Sequence, residues 1–356
     1  MADLTILDTP STYEQRDPGE MLRHIQALGA QTRDAFKAAS ALDLPAAYRD
    51  ATAIVVTGMG GSAIGGALLA GLAEPVARVP IIVSRSHSLP AFVDEHTLVI
   101  ASSYSGATEE TLSAFDDAHR HGARLVAVTT GGALAERAET LGVPLYQFTY
   151  VSQPRAAVGF SFGALLGLLS QLDVIPDPST DLKEAEALLA GHMTQIGPGV
   201  PTTRNPAKRL AAEFMGDIPV IYGAEHLAAV ARRWKTQLNE NSKNWAAWDT
   251  LPEAAHNAIA GYGHPYIAPE DMFVVILDSR LYDPRVRAAI PPILDLLAQA
   301  NVAEITVTAR GASRLAQAIA LTQFGDYVSY YLALLNEVDP TPTPAISFLK
   351  SRLGAA

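Results

Sequence analysis

Twice in the first third of the chain, a short apolar run of strand length leads into a loop of small residues and then into a helix. Residues 53–57 (Ala-Ile-Val-Val-Thr) lead into Gly58-Met59-Gly60-Gly61-Ser62. Residues 98–101 (Leu-Val-Ile-Ala) lead into Ser102-Ser103-Tyr104-Ser105-Gly106-Ala107-Thr108-Glu109-Glu110. Strands apolar throughout are buried on both faces, which requires a parallel sheet with helical crossovers. Further strands at 81–84, 125–128 and 145–148 alternate with helical patterns, so the expected class is α/β with a doubly wound, mainly parallel sheet. Ligands of such sheets sit beyond the carboxyl ends of the strands, where both loops fall.

The loop chemistry points to a small anion. The first N–H groups of a helix lack intrahelical partners and carry the positive end of its dipole, and Ser103, Ser105 and Thr108 add hydroxyl donors. The same residues also suit a helix cap, with Ser105 or Thr108 as N-cap. The second loop of like build, upstream, favours phosphate. Its glycines do not make the dinucleotide spacing, because Ala63 stands where a further glycine is needed and the next strand ends in Ser84-Arg85 rather than an acid. Neither loop ends in the Gly-Lys-Ser/Thr of a nucleotide P-loop. A small phosphorylated molecule fits better.

The chain has 356 residues, enough for two α/β domains, each expected to bury its own core. Strands at 219–222, 273–277 and 305–308 repeat the plan, without a glycine-rich loop or a Ser/Thr cluster after them. The expected division is 1–172 and 173–356, with 176–180 (Pro-Asp-Pro-Ser-Thr) as the linker candidate. Residues 12–48 carry Met21, Ile25, Leu28 and Phe36 at helical spacing. A net charge of −11 argues against a nucleic-acid surface. The lack of cysteine excludes disulfides, thiol nucleophiles and thiolate metal sites. The most apolar run, 156–172, is interrupted by glycines and serines and is short for a bilayer, so a buried helix between the domains is expected. With no basic start followed by an apolar run among the first thirty residues, the expected compartment is the cytoplasm.

Gly-Met-Gly-Gly-Ser-Ala-Ile-Gly-Gly (58–66) with Ser-Tyr-Ser-Gly-Ala-Thr-Glu-Glu-Thr (103–111) resembles the sugar isomerase (SIS) domain. Pro154-Arg155-Ala156-Ala157, the block Asn239-Glu240-Asn241-Ser242-Lys243 and the segment 252–262 around His256 extend the resemblance to the bifunctional phosphoglucose/phosphomannose isomerases. The resemblance implies two SIS domains, a homodimer, no metal or organic cofactor, and interconversion of glucose 6-phosphate, and of mannose 6-phosphate, with fructose 6-phosphate through an enediolate. It further implies Glu240 as the base, His256 as the ring-opening group reaching into the neighbouring subunit, and Lys350 as a late active-site lysine. Gly61, Ser62, Ser103, Ser105, Thr108, Arg155 and Thr343, or Thr341 in place of Thr343, would contact the sugar phosphate. An acid at the C-terminal end of a helix opposes the dipole, so Glu240 calls for local compensation. One departure from the pattern is Ala258, where an acid is expected after His256-Asn257. The rival readings are a non-catalytic sugar-phosphate sensor, weakened by the absence of a DNA-binding module, and a stand-alone amino-sugar phosphate isomerase.

Overall fold

The computed structural model describes residues 4–265 and 268–353. Its first sheet holds β1 (Ala53–Thr57), β2 (Ile81–Ser84), β3 (Thr97–Ser103), β4 (Arg124–Thr129) and β5 (Leu145–Gln147). They lie in the order β2-β1-β3-β4-β5, every pair parallel. The order reverses at β1, so the crevice between the carboxyl ends of β1 and β3 receives both small-residue loops. The second sheet holds β6 (Ile218–Ala224), β7 (Ala247–Leu251), β8 (Met272–Asp278) and β9 (Ala303–Thr308), in the parallel order β7-β6-β8-β9. The expected strands are all present. β7 was not anticipated, because an edge strand reading Ala-Trp-Asp-Thr-Leu, mostly half-buried, carries no continuous apolar run.

The helices that matter to the site are α1 (Leu28–Ser40), α2 (Gly60–Ala73), α3 (Glu109–Arg120), α4 (Val158–Gln171), α5 (Ser179–Gln195), α6 (Pro206–Glu213), α7 (Glu225–Glu240), α8 (Arg314–Leu335) and α9 (Pro344–Leu353). The expected linker is partly helical. Asp177 accepts from the Ser179 N–H at 3.0 Å and so helps start α5. One apolar cluster, on β1, β3, β4 and α3 from Val55 to Ala138, belongs to the first half alone, but the larger cluster crosses both halves. It runs from Leu7 through α4 and α7 to Leu335, because the N-terminal segment packs on the C-terminal half. Gln323 donates to the Ile25 carbonyl at 3.0 Å, and the buried Lys208 ammonium donates to the Leu7 carbonyl at 2.6 Å. α8 is buried over almost its whole length in this shared core.

α4 is the buried helix expected from 156–172, and its glycines explain how it sits. Gly159, Gly163 and Gly167 recur every four residues along the face turned to α1. A Cβ at Gly163 would overlap the Thr32 carbonyl, one at Gly159 would lie 2.6 Å from the Gln31 side chain, and one at Gly167 would lie 2.7 Å from the Phe36 carbonyl. The two backbones therefore meet directly. Gln31 closes the pair, accepting from the Gly159 N–H at 3.2 Å and donating to the Ala156 carbonyl at 2.9 Å. Among the described residues, no helix is long and apolar enough to cross a membrane.

Gly163→Ala should destabilise the protein by about 1–3 kcal/mol, the usual cost of forcing a methyl group into a filled core. Urea unfolding followed by circular dichroism measures it, and an unchanged midpoint would mean that α1 and α4 can part without cost.

Candidate active site

The two loops after β1 and β3 are tied to one another. The Ser62 hydroxyl accepts from the Tyr104 N–H at 3.2 Å, and the Ser103 hydroxyl donates to the Thr108 hydroxyl at 3.0 Å. Ser105 accepts from the Ala107 N–H at 3.2 Å, and Thr108 takes the N-cap position of α3 while making no side-chain cap bond of its own. The hydroxyls of Ser62, Ser103, Ser105 and Thr108 thus belong to two joined loops at the carboxyl ends of β1 and β3, where α3 begins. Gly106, at φ 63°, lets the second loop turn where a side chain would strike the Gly131 carbonyl. Gly61 serves a different end, since a Cβ there would lie 2.7 Å from the Pro154 carbonyl. The absence of a side chain lets the 154–155 segment press against the phosphate-type loop.

That segment delivers Arg155, whose side chain is almost wholly buried, with 3% of its surface exposed. Its Nε donates to Asn241 Oδ1 at 2.7 Å, and its Nη2 donates to the Pro340 and Thr341 carbonyls at 2.6 and 2.7 Å. The remaining nitrogen, Nη1, lies 3.6 Å from Glu240 Oε2. The sequence reading expected this guanidinium to be open to phosphate or sugar hydroxyls. In the structure most of its donors are spent on protein acceptors, and the rest face the carboxylate. Burial pulls the Arg155 pKa down, and Glu240 is the largest of the charges that pull it back up.

Glu240 ends α7, and the compensation that its place demands is present. Lys243 adopts the left-handed conformation at φ 58° and folds its ammonium back onto the helix end, donating to the Glu240 carbonyl at 2.7 Å and the Asn241 carbonyl at 3.2 Å. A cation on the terminal carbonyls offsets the dipole beneath the acid. Asn241 is fixed on its other side by donating to Ser329 Oγ at 3.0 Å. Beneath these groups, Arg233 holds Asp326 through two bonds of 3.1 and 3.0 Å and also donates to the Arg155 carbonyl at 2.8 Å. Sequence reasoning did not single out Arg233, Asp326 or Ser329, which lie on α7 and α8, far apart in the chain, and carry no local pattern. Asn241 and Lys243 stand in the block quoted for the family resemblance, although no role was given to either.

The two threonines of the late proline-rich turn are separated by packing. Thr341 is pressed against Gly19, its hydroxyl buried and unpartnered and its carbonyl taken by Arg155. Thr343 is half-buried, and its carbonyl accepts the Ser347 N–H at 3.1 Å at the start of α9. Among the described residues, neither His256 nor Lys350 forms an ion pair with Glu240, whose charged neighbour is Arg155. His256 is exposed on the one-turn helix Glu253–His256, and among the described residues its side chain makes no hydrogen bond. Lys350 is exposed on α9, a helix that buries no residue and leaves Phe348, Leu349 and Leu353 open at 63%, 56% and 66%. Ala258 follows at a second one-turn helix, where Asn257 Oδ1 accepts its N–H at 2.6 Å.

Residues 203–353 match the family model described as the bacterial phospho-glucose isomerase C-terminal SIS domain. A bifunctional phosphoglucose/phosphomannose isomerase of Caldicellulosiruptor bescii is 39% identical over 94% of this chain and 98% of its own length. The chain belongs to the bifunctional phosphoglucose/phosphomannose isomerase family. The protein of that name from Aquifex aeolicus is 34% identical over 84% of this chain and 90% of its own length. Among solved structures, a hypothetical protein of Thermus thermophilus shares the fold, with a TM-score of 0.75 over 99% of this chain and 94% of that one, at 17% identity.

Lys243 gives the site a measurable pH signature. Burial, followed by the nearby Arg155 charge, pushes its ammonium from the ordinary 10.5 down to about 8. Between those two values the unfolded chain binds the proton that the folded chain has lost, so this group makes stability rise with pH across that window. Lys243→Met should remove that rise, which shows as a wild-type minus variant difference in unfolding free energy that climbs across the window. A difference that stays flat would place the ammonium in open water.

Proposed function

We propose that the protein interconverts glucose 6-phosphate and mannose 6-phosphate with fructose 6-phosphate, with the phosphate on the loops after β1 and β3 and with Glu240 as the base. The observation that carries the reading is the chain of contacts from Gly61 through Pro154 and Arg155 to the Glu240 carboxylate, which puts an anion cradle and a base at the two ends of one rigid segment.

The chemistry follows from those groups. Ser62, Ser103, Ser105, Thr108 and the α3 N-terminus hold the phosphate equally in substrate and transition state. Glu240 takes the proton from C1 of the open-chain ketose as electrons move toward the carbonyl, giving an enediolate. A proton passes from the C1 hydroxyl to the C2 oxygen, and Glu240 returns its proton to C2, giving the aldose. The arginine beside the base stabilises the negative charge that develops on the enediolate oxygens, where a preorganised cation is worth most. No redox partner enters, since one carbon is oxidised as its neighbour is reduced. Because C2 becomes planar in the intermediate, one base can serve both epimers if the pocket lets C2 and C3 turn, and Thr343, with Thr341 packed away against Gly19, is the hydroxyl we assign to that part of it.

His256 and Lys350 complete the site from a second copy of the chain. Their exposure within one chain, and the apolar face of α9 left open around Lys350, support a homodimer in which these residues reach the neighbouring centre. A phosphorylated metabolite as substrate and a net charge of −11 fit an enzyme of the cytoplasm.

Glu240→Gln should leave fructose 6-phosphate binding intact and lower turnover about 10²–10⁴-fold, the usual worth of a general base. In heavy water the wild type should yield both glucose and mannose 6-phosphate carrying deuterium at C2. Retained turnover in the variant would remove the base, and glucose 6-phosphate alone would remove the second epimer.

Subunit sharing has its own assay. Glu240→Gln and His256→Ala proteins, each inactive, should regain activity when mixed under subunit exchange, since a mixed dimer owns one intact pair. No recovery, with exchange verified by native mass spectrometry, would place the action of His256 within its own chain.

A further inference from the structure

The second sheet lacks a counterpart of β5. β4 of the first sheet is covered by β5, whereas among the described residues no strand pairs with the outer edge of β9. Beside that edge lies a cavity of about 890 Å³, walled by the ends of α5 and α6, by β9 and the turn after it, and by α8. It reaches the carboxyl ends of β8 and β9, the level at which the first sheet has its Ser/Thr loop. None of its wall comes from the active site described above, and its size is that of a metabolite pocket.

Its charge sets it apart from the rest of the molecule. In a chain of net charge −11, the wall carries two arginines, Arg280 and Arg310, and no carboxylate. Acids on the adjoining elements are engaged with other partners. Asp278 is paired with Arg287 at 3.0 Å, and Glu225 with Arg314 at 3.3 Å. Glu184 accepts the backbone N–H groups of Ala312 and Ser313 at the α8 start. Arg310 is steadied by donating to Gln195 at 3.1 Å, and among the described residues Arg280 makes no ion pair or side-chain hydrogen bond. Two arginines in the wall of one cavity that holds no acid are suited to a phosphate, which each can grip bidentately.

The rest of the wall selects what the phosphate is attached to. Thr306 and Gln317 belong to the wall, but the Thr306 hydroxyl is buried, and the Gln317 amide is spent on Gly311, Ser279 and His226. On the far side Leu210, Leu321 and Phe324 form an apolar wall, with Phe324 backed by the Trp234 ring at 5.7 Å.

We propose that this cavity is a second, non-catalytic site for an organic phosphate bearing a flat ring, of the nucleoside monophosphate class, with Arg280 and Arg310 on the phosphate and Leu321 and Phe324 against the ring. The site stands apart from the Glu240 centre, and its test does not depend on the reaction assigned there.

The probe is AMP, titrated calorimetrically into the full-length protein. Binding should persist with fructose 6-phosphate saturating, and should weaken at least about tenfold, or 1.4 kcal/mol, in Arg280→Ala/Arg310→Ala, whose side chains are exposed and outside the core. Fructose 6-phosphate turnover without AMP should be unchanged in that variant. Leu321→Trp, which fills the apolar end, should also abolish binding. Absence of AMP binding to the wild type, displacement of AMP by fructose 6-phosphate, or undiminished affinity in the double variant would each overturn the proposal.

Discussion

The buried Arg155 guanidinium is the constraint on which the rest of the structure depends. A cation removed from water is tolerable only with its donors satisfied, and the acceptors here come from distant parts of the chain: Asn241 and Glu240 at the end of α7, and the carbonyls of Pro340 and Thr341 before α9. Satisfying one side chain therefore fixes where the first sheet's loops stand against the second half of the chain. The Arg233–Asp326 pair beneath it holds the same backbone from the other side. The candidate base is thus positioned by the electrostatic needs of its neighbour more than by its own contacts.

How much of this was readable in advance depended on sequence distance. The phosphate-type loops were legible because each strand, loop and helix start is contiguous, and local glycine and hydroxyl chemistry is all they need. Glu240 was legible through the compact block around it, and the demand for a compensating charge at a helix end was met by Lys243, three residues on. The use made of Arg155 was not legible. Its partners stand 86 and 185 residues away, and a planar cation gives no sign of whether it will grip a ligand or its own chain. β7 escaped for a local reason, being an edge strand whose mixed composition has no periodic signal. The two halves looked separable because each repeats the same strand plan, whereas the N-terminal segment and α8 join them through the larger cluster.

The two copies of the fold also show how a duplicated site can diverge while keeping its backbone. After β1 the chain turns into α2 through Gly60 at φ 52°, and after β6 it turns into α7 through Glu225 at φ 42°. The same left-handed turn that a glycine makes freely is imposed on a glutamate, whose carboxylate then accepts the Asp283 N–H at 2.6 Å and pairs with Arg314. An internal acid in the second copy thus takes up the kind of donor that the first copy leaves open at the proposed phosphate loops.

The glycine stripe between α1 and α4 reaches beyond stability. Gln31, seated in that contact, grips Ala156 and Gly159, residues that closely follow Arg155. The separation of two helix axes therefore sets the height at which the guanidinium meets the carboxylate, as a shim sets the height of a lens. A side chain added at 159 or 163 would move Arg155 relative to Glu240 without touching either residue, so two glycines remote from the candidate site govern its geometry.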